Sequence, residues 1–116
     1  MKSYTDLEQS KKLAEILPIE SADMCYPLPY EEGDKPLLEQ GGFGSTPCWS
    51  LAALLNLLPS IITRNEKRMF LTLEKAGAYN IYYKSPDRLD ELWETKEDAI
   101  DACYEMILKL NEQKLL

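Results

Sequence analysis

The hydrophobic pattern has four regular stretches, with one segment that has no period between the first and the second. The densest runs from Thr46 to Pro59, where only Ser50 and Asn56 are polar between two prolines. Thr46 suits an N-cap, Pro47 the first helical position and Pro59 a stop, so the pattern predicts a helix of about twelve residues that starts at Pro47 and is stopped by Pro59. A helix apolar nearly all round needs cover on most of its surface, and this one falls short of the about 20 residues that span a bilayer. It is therefore predicted to be the central core helix. Upstream, Thr5-Asp6-Leu7-Glu8 has the form of a capping box, and Leu7, Leu13, Ala14, Ile16 and Leu17 recur at helical spacing until Pro18 ends the helix. Downstream, Met69, Leu71 and Leu73 alternate with Phe70, Thr72 and Glu74. Ala76-Gly77-Ala78 then makes a turn and Tyr79–Tyr83 runs back, which predicts a hairpin. Ser85-Pro86-Asp87 is a second turn signal, with a third strand expected in Leu89–Thr95. Thr95-Lys96-Glu97-Asp98 opens a last helix whose stripe is Ala99, Ile100, Cys103, Met106, Ile107 and Leu110. The predicted class is α+β: a three-stranded antiparallel meander packed with helices, in the order helix, long loop, helix, three strands, helix. One domain is expected over 1–116, divided into an N-terminal helix (1–17), an irregular Pro/Gly-rich segment (18–46) and the core (47–116).

The segment without a period, 18–46, carries Pro27, Pro29, Pro36 and four glycines, with aromatic and aliphatic residues scattered among acids. Loops of this length in a small domain are usually functional or wrap the core. An extended piece is expected around Met24–Leu28. The expected partner-binding residues are Tyr26, Tyr30, Glu31, Glu32, Asp34 and Phe43. The one basic cluster, Arg64-Asn65-Glu66-Lys67-Arg68, reads as a solvated turn.

Charge narrows the function classes. The chain has 13 basic and 20 acidic side chains, net −7, and residues 1–46 hold 4 of the former and 9 of the latter. Such a chain repels phosphate backbones, so nucleic acid is disfavoured as a partner. There is no histidine. That removes Ser-His-Asp hydrolysis, His-ligated zinc and His-based proton transfer within one chain. Gly44-Ser45-Thr46-Pro47-Cys48-Trp49-Ser50 is superficially similar to the nucleophile segment of papain-like cysteine proteases, but the imidazole partner is missing and Cys48 reads better as a small buried hydrophobe. Gly41-Gly42-Phe43-Gly44 lacks the spacing of a phosphate loop, and Asp87, Asp90, Glu91, Glu94, Glu97 and Asp98 lack the ladder of a calcium loop. No catalytic residue, cofactor or metal is assigned. Three cysteines without disulfide or zinc spacing, a polar start and no long apolar run suggest free thiols and a cytoplasmic location, with no membrane association.

From residue 47 onward the predicted order is that of double-stranded-RNA-binding domains, yet the last helix begins with acids where that family presents lysines. A closer resemblance comes from three segments: Tyr4 to Leu17, Pro47-Cys48-Trp49-Ser50-Leu51-Ala52-Ala53-Leu54-Leu55, and Asp98 to Leu110. On these the chain resembles a family of small uncharacterised proteins carried by prophages and other mobile elements of gut bacteria. That resemblance implies an intracellular, phage-linked setting and no particular activity. The expectation is a non-enzymatic acidic interaction module for a host or phage protein. Two alternatives are a nucleic-acid binder using the sheet, if Arg64, Lys67, Arg68 and Lys84 converge beside Tyr79 or Tyr82, and a Cys48- or carboxylate-dependent enzyme, if Cys48 lies open in a cleft. An exposed edge strand also leaves a dimer open.

Overall fold

Met24–Tyr26 and Thr46–Cys48 pair as short antiparallel strands, β1 and β2, with Met24 opposite Cys48 and Tyr26 opposite Thr46. This is where the structure, a computed structural model describing residues 1–39 and 45–116, first departs from the sequence pattern. Pro47 sits in a strand rather than in the first turn of a helix. Its fixed φ and missing N–H suit both positions, and pairing with a segment more than twenty residues away decides between them. The helix, α2, spans only Leu51–Leu57, and the Ala53 N–H donates to Ser50 Oγ at 3.2 Å, so Ser50 takes the capping role expected of Thr46. Only Leu54 of α2 is fully buried, while Ala52 and Asn56 are exposed. It is not the all-round buried core helix that its composition predicted.

The chain divides into two compact units, residues 2–57 and residues 58–116 with Met1. In the first, the helix α1 (Leu7–Ala14) packs on β2. Its cap lies one residue later than the sequence suggests: Asp6 accepts from the Gln9 N–H, and the Gln9 side chain accepts from the Asp6 N–H, completing a capping box. Leu13 and Leu17 are buried, but Ala14 faces solvent. A 3₁₀ turn at Ile19–Ser21 leads into β1. Met24, Tyr26 and Cys48 form a core cluster with Tyr4 and Leu7 packed against it.

The second unit is a four-stranded antiparallel meander, not the three-stranded one expected. Its strands are β3 (Ile61–Arg64), β4 (Lys67–Ala76), β5 (Ala78–Lys84) and β6 (Glu91–Lys96), in that spatial order. The extra strand is the stretch read as a connection. Asn65 and Glu66, at φ 53 and 65, make a two-residue hairpin turn of the kind in which both central residues are left-handed, and this folds Ile61–Arg64 onto Lys67–Phe70. Gly77, at φ 74, supplies the next turn, with Ala76 opposite Ala78. Helix α3 (Ala99–Glu112) packs on β5 and β6. Its predicted stripe, Ala99, Ile100, Cys103, Met106, Ile107 and Leu110, is buried throughout, along with Ala102. The cap is Asp98, whose carboxylate accepts from the Ile100 N–H at 3.0 Å. Thr95, the expected start, belongs to β6, where its hydroxyl donates to Asn80 Oδ1 at 2.6 Å. Ile62, Met69, Ile81, Tyr83 and Leu92 supply the buried residues of the sheet. No helix among the described residues is long and apolar enough to cross a membrane.

Candidate functional site

The thiol segment is closed. Cys48 is fully buried, and burial pushes its thiol pKa up, although hydrogen bonds from Thr5, Ser10 and Tyr26 act the other way. A nucleophilic cysteine needs the opposite shift and access to solvent. The groups around it form a structural knot. Thr5 Oγ1 lies 2.7 Å from Ser10 Oγ and accepts from the Trp49 N–H at 3.1 Å, and Tyr26 donates its hydroxyl to the Thr5 carbonyl at 2.8 Å. The Trp49 indole N–H donates to Ser21 Oγ at 2.9 Å, and Ser21 passes its own hydroxyl hydrogen to the Pro18 carbonyl at 2.6 Å. Every polar group here serves to hold the chain segments of residues 2–57 together. All three cysteines, Cys25, Cys48 and Cys103, are free and buried.

Five of the six acids dense in sequence between 87 and 98 are taken up one at a time, and Glu97 is exposed. Asp87 pairs with Lys67 at 3.0 Å, Glu91 with Lys84 at 3.7 Å and Glu94 with Lys109 at 2.6 Å, while Asp90 accepts from Arg64 and Asp98 caps α3. Hydrogen bonds from Ser85 and the Leu89 N–H, together with Lys67, bring the Asp87 carboxyl down to about 2. Arg64 likewise lowers that of Asp90. Among the described residues no group of three His, Cys, Asp or Glu side chains is placed to hold a metal ion.

The four cations do not converge. Alternation along the paired strands puts Arg68 and Lys84 on the opposite face from Arg64 and Lys67, and Tyr79 on the opposite face from Tyr82. Arg64 is committed to Asp90, Gln113 and the Glu91 carbonyl, and Lys67 to Asp87. The sheet therefore lacks the continuous basic strip that would track a nucleic-acid backbone.

What remains open in the first unit is the stretch 27–39. Its far end is pinned to β1, because Cys25 and Leu37 exchange backbone hydrogen bonds of 3.0 and 2.7 Å. Its tip is a turn in which Asp34 Oδ2 accepts from the Glu31 N–H at 2.8 Å and Gly33 takes φ 89. On this frame Leu28 is 66% and Leu38 84% exposed, with Leu37 and Tyr30 also in solvent. Glu31, Glu32 and Glu39 are exposed beside them, and Lys35 is the only base. Of the residues expected to meet a partner, Tyr30, Glu31 and Glu32 lie on this surface. Asp34 holds its turn. Tyr26 is 4% exposed, with its ring edge-on to Tyr30 at 5.7 Å, and so supports the loop from below. Phe43 lies outside the described residues. Leu28, Leu37 and Leu38 were not singled out by the pattern. Their signal was isolation: each is an aliphatic residue next to or near a proline with no periodic neighbour to bury it.

A second open surface is the solvent face of the four-stranded sheet. Ile61, Phe70 and Trp93 are 42%, 45% and 37% exposed. Tyr82 and Trp93, opposite each other on β5 and β6, stack with centroids 4.2 Å apart and planes 3° from parallel. Lys84 lies 5.2 and 5.4 Å from the two ring centroids. No family model, curated protein or solved structure matches the chain.

Proposed function

We propose that the chain is a non-enzymatic interaction module whose loop 27–39 docks on a basic protein surface, in the phage-linked setting that its sequence resemblance implies. The observation that carries this reading is a loop, tied to β1 by the Cys25–Leu37 bridge, on and beside which Leu28, Tyr30 and Leu38 stand in solvent among Glu31, Glu32 and Glu39. A backbone held at Leu37 and at the Glu31–Asp34 turn limits the conformational entropy lost when a partner covers these leucines. The surrounding carboxylates favour encounter with a basic patch and repel acidic competitors. The buried, high-pKa thiol of Cys48 and the singly paired carboxylates support a binding rather than a catalytic role.

The test is capture of partners from host lysate by the tagged full chain at low and high salt, with two variants alongside. One is Glu31→Gln/Glu32→Gln/Glu39→Gln and the other Leu28→Ser/Leu38→Ser, both checked for native circular dichroism. The reading expects one protein partner, released by salt and weakened at least about tenfold by either variant, since neither changes a buried contact. A partner held equally by the wild type and both variants refutes it, as does nuclease-sensitive capture.

A further inference from the structure

The solvent face of the four-stranded sheet has a pattern that is complementary to itself. Along β4 the outward residues in order are Arg68, Phe70, Thr72 and Glu74: a cation, a ring, a small polar side chain and an anion. Neither Arg68 nor Glu74 has an ion-pair partner among the described residues, whereas Lys84 on the same face is paired with Glu91. From this arrangement we propose that two copies of the chain associate face to face through this sheet, about a two-fold axis lying across the strands between the levels of Phe70 and Thr72.

That operation reverses the order along β4 on the second copy. Arg68 then opposes Glu74 of the second copy, and Phe70 opposes its Thr72, so charge meets opposite charge and a large side chain meets a small one. The cross-strand register extends the match. Lys84 lies level with Phe70, and Tyr82 level with Thr72. The same rotation thus brings each Lys84 toward the Tyr82–Trp93 stack of the other copy, a cation against aromatic rings. Sheets that pack in this way sit about 10 Å apart, within reach of these side chains.

Other modes of pairing fit less well. Edge-to-edge pairing is obstructed on both sides: β3 is only four residues long, and on β6 Lys109 donates to the Trp93 carbonyl at 2.9 Å while pairing with Glu94. Four strands about 4.8 Å apart and four outward levels give a footprint of roughly 19 by 20 Å, below the about 800 Å² per partner of a standard interface. The dimer is therefore expected to be weak and concentration-dependent.

The experiment is sedimentation equilibrium of the full chain from low micromolar to millimolar concentration. A monomer–dimer equilibrium is expected, together with a change in Trp93 emission that follows the dimer fraction. Arg68→Glu alone and Glu74→Arg alone each place like charges opposite each other twice, and each should raise the dissociation constant at least about tenfold. Mixing the two single variants restores every opposite-charge pair and should recover the wild-type constant in a heterodimer, as should the double variant. A monomer at every concentration overturns the proposal. So does a dimer indifferent to Arg68→Glu, or one weakened by both single variants without recovery on mixing, because its interface then lies elsewhere.

Discussion

Thr5 is fully buried, and its hydroxyl is the shared partner of the Trp49 N–H, the Ser10 hydroxyl and, at 3.5 Å, the Cys48 thiol. Thr5→Val keeps the side-chain volume and removes only the oxygen. No cavity opens, but the Trp49 N–H loses its acceptor and Ser10, also fully buried, keeps only its weaker contact with the Cys48 thiol. A buried polar group left unsatisfied costs about 1–3 kcal/mol, so with the Trp49 N–H stranded and Ser10 left on a weak thiol partner the variant should lose roughly 2–4 kcal/mol in all. Thr5→Ser keeps the oxygen, drops one methyl and should cost about 1 kcal/mol. The expected order, wild type above Ser above Val, puts Val last, where burial of apolar surface alone would put it first. Urea unfolding followed by Trp49 emission in a Trp93→Phe background reads the first unit alone, and Thr5→Val should lower its midpoint by about 1–2 M. If Thr5→Val is as stable as the wild type, or more stable than Thr5→Ser, the network does not hold these segments together and the account of the first unit fails.

Glu66 occupies the second left-handed position of the β3–β4 turn, where a side chain is strained, so Glu66→Gly should stabilise the second unit by about 0.5–1 kcal/mol, measured by thermal unfolding. Asp87 titrates at about 2 in the folded chain against an ordinary 3.8, and Asp90 is lowered too. A depressed carboxyl contributes stability above its unfolded value and loses it as pH falls, so the midpoint should hold above about pH 5 and decline toward pH 2, with Asp87→Asn flattening that decline. Burial pushes Cys103 up to about 12 from 9.0. A raised thiol contributes stability in full below the unfolded value and loses it as pH climbs from 9 toward 12, a limb that Cys103→Ala should flatten in alkaline unfolding. At neutral pH, iodoacetamide followed by peptide mapping should label Cys48 and Cys103 at least about a hundredfold more slowly in the folded chain than in urea, and rapid labelling of Cys48 would reopen the enzymatic reading.

Legibility followed the sequence range of the deciding contact. The stripe of α3 and the hairpin turn at Ala76-Gly77-Ala78 are local, and both stand where their periods put them. Ile61-Ile62-Thr63-Arg64 is β-branched at three positions, but the Asn65-Glu66 turn that makes it a strand lacks the glycine that usually marks such a turn, so it passed for a connection. Thr46-Pro47-Cys48 satisfied the local rules for a helix start, and only its pairing with Met24–Tyr26, a contact with no local signature, made it a strand. Exposure was less legible still. Tyr26 and Tyr30 stand four residues apart in one irregular stretch, yet one is 4% exposed and the other 40%, because only the first lies in the strand that meets Cys48.

Charge behaved in the same way, and this bears on where a partner would bind. From composition the acids at 87–98 formed the most conspicuous cluster, but pairing across strands and to α3 engages Asp87, Asp90, Glu91 and Glu94 singly, so the cluster disperses on folding. Charges left without an ion-pair partner among the described residues include Glu31, Glu32 and Glu39 around the exposed leucines of the first unit, and Arg68 and Glu74 around the exposed rings of the second. An ion pair satisfied within the fold adds little attraction for another molecule, whereas an unpaired charge beside exposed apolar surface steers an encounter and orients what docks there. The two surfaces differ in sign: the first is predominantly acidic, with Lys35 its one base, and suits a basic partner, while the second carries one charge of each sign at either end of a strand and suits its own copy. Arg68→Glu should therefore leave capture by the loop unchanged, and Glu31→Gln/Glu32→Gln/Glu39→Gln should leave self-association unchanged, so the two proposals stand or fall separately.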